Sequence, residues 1–68
     1  LSLNQKGYLN LILYIKKQEK VLTIYQKKNK IEKIQIIKNS IKVALEFKSL
    51  FKNWFNENNI NIDLVAND

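Results

Sequence analysis

The chain has 68 residues with twelve basic and six acidic side chains, a net charge of +6, and neither histidine nor cysteine. That length allows one small domain with a thin core, since a chain of this size hides only roughly 60% of its unfolded surface on folding. The composition excludes a disulfide framework and any thiolate or imidazole metal site. The longest apolar run, Leu11 to Ile15, is far short of the ~20 residues of a membrane-spanning helix.

All the basic residues are lysine, and lysine, asparagine and isoleucine together make up nearly half of the chain. This is the composition of an A+T-rich coding sequence. No methionine occurs, even at position 1. A reduced organelle genome, such as a mitochondrial one, accounts for both features; an A+T-rich bacterium or parasite accounts for the composition equally well. The N-terminus lacks the charged, apolar and small-residue order of a cleaved signal peptide. The positive charge favours polyanionic partners, because each lysine that neutralises a phosphate releases a condensed counterion. It serves solubility equally well.

With Gly7 as the only glycine and no proline, turns are read from polar clusters: KKQEK at 16–20, KKNK at 27–30 and KNS at 38–40. Between them lie YLNLILYI, VLTIYQ and IEKIQII, which are short and rich in β-branched and aromatic residues, as strands are. In the first, Leu9, Leu11, Leu13 and Ile15 share one face and Tyr8, Asn10, Ile12 and Tyr14 the other, so a central strand covered on both sides is expected. A helical reading of the same region finds spacings of three and four among Val21, Leu22, Ile24, Tyr25, Ile31, Ile34 and Ile37. The all-round apolarity of residues 8–15 favours strands over it.

From Ile41 the pattern changes. Ile41, Ala44, Phe47, Leu50, Phe51 and Trp54 recur at helical spacing, with Lys42, Glu46, Lys48, Lys52 and Asn53 largely opposite, which predicts an amphipathic helix with Phe47, Phe51 and Trp54 in the core. Ser40 or Asn39 is placed to cap its start, and NENN at 56–59 to end it. Ile60, Ile62 and Leu64 then line one face of a last strand. The expected fold class is α+β in two layers within a single domain, 1–68. It comprises an antiparallel three-strand meander over 7–38, one long amphipathic helix over 40–57 and a final strand over 60–65.

Catalytic constellations are nearly absent. Ser2, Thr23, Ser40 and Ser49 have no imidazole to activate them, the acidic residues form no metal loop or acid/base pair, and Gly7 alone makes no phosphate loop. No enzyme activity, cofactor, metal or small-molecule substrate is expected. The candidate RNA-binding residues are those of the turns: Lys16, Lys17 and Lys20 at one end of the sheet, Lys27, Lys28 and Lys30 at the other. Lys38, Asn39 and Ser40 join the first group, where a helix N-terminus beside lysine favours an anion.

Gly7 opening YLNLILYI, the turn KKQEK, the strand VLTIYQ followed by KKNK, then Ser40, Ala44 and NIDLVAND from Asn61 together resemble the small-subunit ribosomal protein eleven family. In that family a strand close to IVTITD precedes a basic turn, and a later strand resembles NLEVMVKG. The family's glycine- and arginine-rich loop is reduced here to KNS, and its later glycine- and proline-rich segment and basic tail have no counterpart up to Asp68. The resemblance implies a structural constituent of a small ribosomal subunit, in the mitochondrial matrix or in the cytoplasm of an A+T-rich organism. Its partners would be ribosomal RNA and neighbouring ribosomal proteins, with no membrane span, and contact would be to RNA shape and backbone. The alternative is a protein-interaction or accessory subunit of another organellar complex, docking through an exposed Phe55, Leu45 or the open strand edge. A fully helical chain would instead suit a coiled-coil or accessory subunit.

Overall fold

The computed structural model describes residues 3–61, and these form a helical hairpin. Helix α1 runs Leu3–Lys27 and helix α2 runs Ile31–Glu57. The hairpin is a rod of 44 × 16 × 16 Å. Among the described residues there is no strand, so the expected three-strand meander and the α+β class are overturned. Of the expected last strand, Ile60 follows the end of α2, whereas Ile62 and Leu64 lie outside the described residues.

The reason lies in what the polar clusters are made of. Lysine, glutamine and glutamate are good helix formers, so KKQEK carries α1 through its middle instead of ending a strand. With no proline and a single glycine, nothing else interrupts the helix. On a seven-residue repeat, Tyr8, Leu11, Ile15, Gln18, Leu22 and Tyr25 alternate in steps of three and four, and all are buried or half-buried. Helix α2 answers with Ile34, Ile37, Ile41, Ala44, Lys48, Phe51 and Phe55 in the same rhythm, again all buried or half-buried. The isoleucines of this seam pack as β-branched residues do between paired helices, while the exposed Thr23 satisfies its hydroxyl by donating to the Glu19 carbonyl one turn back at 3.1 Å.

Packing is tightest away from the turn. Tyr8, Ile12 and Phe55 form the buried cluster, with Leu9, Phe51 and Ile60 against it. Tyr8 meets Phe55 edge-on with ring centroids 5.6 Å apart and Phe51 at 6.2 Å, while Trp54 stands edge-on to Phe55 at 5.3 Å. Such pairs add about 0.5–1.5 kcal/mol each beyond burial of their area. Gly7 belongs here: the Phe51 ring lies against it, and a Cβ added at this position would meet that ring at 3.4 Å, an ordinary contact distance. Among the described residues, the buried side chains Tyr8, Ile12, Ile15, Ala44 and Phe55 lie between the middle of the rod and the end away from the turn.

Both helices end by the same device. Asn29 adopts a left-handed conformation (φ 55°), its N–H donating to the Gln26 carbonyl at 3.2 Å while that of Lys30 donates to Tyr25 at 3.1 Å. Asn59 (φ 56°) repeats this: its N–H reaches Asn56 at 3.2 Å and that of Ile60 reaches Phe55 at 2.9 Å. Asparagine is the usual substitute for glycine at this position, and an apolar residue just after it commonly packs back on the last turn. Ile60 does so by joining the Tyr8 and Phe55 cluster.

Candidate interaction surfaces

Of the residues expected to bind RNA, only one group sits in a turn. Lys27 closes α1, Lys28 and Lys30 flank Asn29, and all three lysines are exposed at the tip of the hairpin. The guanidinium-free tip gains one more cation nearby, Lys33, whose Nζ lies 5.4 Å from the centroid of the Tyr25 ring. Lys16, Lys17 and Lys20 are inside α1. At about 100° per residue they share one side of α1 near its middle, within a single arc of about 100°, and the sheet end expected to hold them does not exist among the described residues. Lys38, Asn39 and Ser40 are inside α2, which begins at Ile31 after Lys30 with no side-chain cap. No helix N-terminus exists beside Lys38, so the anion site expected there is absent.

The expected apolar stripe of the second helix divides into two. Ala44 is buried and Ile41 and Phe51 are half-buried in the seam, but Phe47, Leu50 and Trp54 remain 54%, 62% and 38% exposed. Phe55, expected on the surface as a docking residue, is the most deeply buried side chain of the hairpin. Leu45, its companion in that expectation, is 48% exposed.

Phe47, Leu50 and Trp54 line one wall of a groove that runs along one side of the hairpin. Its first stretch, about 310 Å³, is bounded by Asn4, Phe47, Leu50, Phe51 and Trp54. A second stretch of the same volume shares Phe47 and continues between Leu11 and Tyr14 of α1 and Asn39, Ser40, Val43 and Ala44 of α2. Neither stretch contains a charged residue. Three other depressions do: Lys38, Lys42 and Glu46 line one, Lys30, Glu32 and Lys33 another, and Lys16, Glu19 and Lys48 a third.

Among the described residues, no group of acidic side chains is placed to hold a metal ion, and no helix is long and apolar enough to cross a membrane. The groove was legible in the sequence as a second heptad column. Ile36, Val43 and Leu50 recur every seven residues, as do Ser40, Phe47 and Trp54. Reading both columns and the seam as one stripe concealed it. No family model, no curated protein and no solved structure matches the chain.

Proposed function

We propose that the chain is a non-enzymatic helical interaction module, a structural subunit that joins an assembly through the groove between its helices. The observation that supports this most directly is the groove's lack of charge on a chain in which 26% of residues are charged. Exposed aromatic and aliphatic side chains gathered on one face, with charge kept out of the middle and lysine around it, have the anatomy of a protein interface. The partner chemistry it fits is another apolar helical face, whose ridges would enter the groove. In cell extract, the tagged chain should elute in a species heavier than its own 8.1 kDa. A Phe47→Glu, Leu50→Glu double variant should elute alone while keeping its helical circular dichroism. Elution of that variant in the same heavy species would overturn the reading.

A second reading retains a polyanion as partner, on one specific observation: Lys27, Lys28 and Lys30 converge on the exposed tip. The ribosomal resemblance depends on an order of strands that the described residues do not have, so ribosomal RNA stands as one polyanion the tip would suit. Replacing the three lysines by glutamine should weaken binding to structured RNA and flatten its dependence on salt. An affinity indifferent to salt would exclude this reading.

A further inference from the structure

We propose that the occupant of the groove is a second copy of this chain, stacked groove to groove so that α1 of each copy lies along α2 of the other in a four-helix bundle. This rests on the interaction-module reading and names its partner.

The first support is exposure. Phe47, Leu50 and Trp54 remain 54%, 62% and 38% exposed along the groove, a gathered apolar face of the kind that an interface covers. The second support is repeat. A helix that packs against one neighbour needs one seam, but α2 carries the seam and, beside it, the columns Ile36, Val43, Leu50 and Ser40, Phe47, Trp54. Apolar columns on two adjoining sides are what a helix shows when it contacts two neighbours, as in a four-helix bundle.

The third support is charge, and it selects the arrangement. At the outer edge of α1, Lys6, Leu13, Lys20 and Lys27 recur every seven residues; at the outer edge of α2, Glu32, Asn39, Glu46 and Asn53 do the same. All eight are exposed. Twofold pairing through the groove has two forms. If α1 lies on α1 of the other copy, lysine row meets lysine row. If α1 lies on α2 of the other copy, both turns come to the same end and the rows run level, so that Lys27 meets Glu32 twice by symmetry, Lys20 and Lys6 meet Asn39 and Asn53, and no lysine faces lysine. Exposed ion pairs are individually weak, so they choose between the forms while burial of the apolar groove supplies the affinity.

The purified chain should sediment at about twice 8.1 kDa, with a melting temperature that rises with protein concentration. Leu50→Glu should sediment as a monomer. Because the chain lacks cysteine, Lys28→Cys accepts one spin label per copy at the tip. The proposed arrangement gives a label-to-label distance well below the 44 Å length of the rod, and the opposite pairing gives one near or above it. A monomer at every concentration overturns the second copy as occupant, yet leaves the interaction module standing if Phe47→Glu, Leu50→Glu still abolishes assembly in extract. A long distance, or a dimer that persists in Leu50→Glu, also overturns the proposal. Should Leu50→Glu unfold, the wild-type concentration dependence and the label distance still decide.

Discussion

Phe47 and Phe55 are eight residues apart on one helix, and one is 54% exposed while the other is fully enclosed. The difference is register: Phe55 continues the column of Ile34, Ile41 and Lys48 that faces α1, whereas Phe47 belongs to the column of Ser40 and Trp54. Truncating Phe55 removes the partner of Tyr8, Phe51 and Trp54 at once. Phe55→Ala should therefore cost about 3–5 kcal/mol in urea denaturation, enough to unfold so small a domain, while Leu13→Ala, at a position 64% exposed, should change stability by no more than about 0.5 kcal/mol. Gly7 is a residue-scale opportunity. Its helical position disfavours glycine by about 1 kcal/mol relative to alanine, and the 3.4 Å approach to Phe51 is ordinary contact for a methyl. Gly7→Ala should raise the melting temperature, whereas Gly7→Leu should lower it by displacing the Phe51 ring.

Helix boundaries show what the element scale left legible. KKNK and NENN are both read correctly as breaks, because asparagine tolerates the left-handed conformation that closes a helix, and Asn29 and Asn59 adopt it. KKQEK and KNS look alike in polarity but contain no residue that stops a helix, so the chain passes straight through them. The distinction was physical and available: polarity places a segment at the surface, while only backbone preference ends it. Apolar residues on every side of 8–15 favour a strand on the sequence alone. A helix flanked by a partner on one side and a groove on the next produces the same pattern, with Ile12 and Ile15 in the core and Leu11 and Tyr14 at the groove. At the turn, Asn29→Gly should stabilise the hairpin by a few tenths to about 1 kcal/mol, since glycine meets no steric penalty at positive φ. Asn29→Val should destabilise it, a β-branched residue being strained there. Paired thermal melts check both signs.

At the scale of the whole molecule, stability is graded along the rod. Among the described residues, the buried side chains lie between the middle of the rod and the end away from the turn, and the seam toward the tip is only half-buried, with Gln18 at a seam position of α1. Amide exchange should accordingly be slowest from Tyr8 to Ile15 and from Ala44 to Phe55, and fastest on either side of Asn29. Uniform protection along both helices would contradict a graded core. Trp54, the chain's one tryptophan, stands at the boundary between the two regimes that matter here: its edge is set against Phe55 in the aromatic cluster, and its remaining surface, 38% of the residue, opens to the groove. The indole is thus a fluorophore already installed at the mouth of the binding surface. Its emission colour and its accessibility to a collisional quencher will register whatever comes to cover the groove, without a label and without altering the sequence.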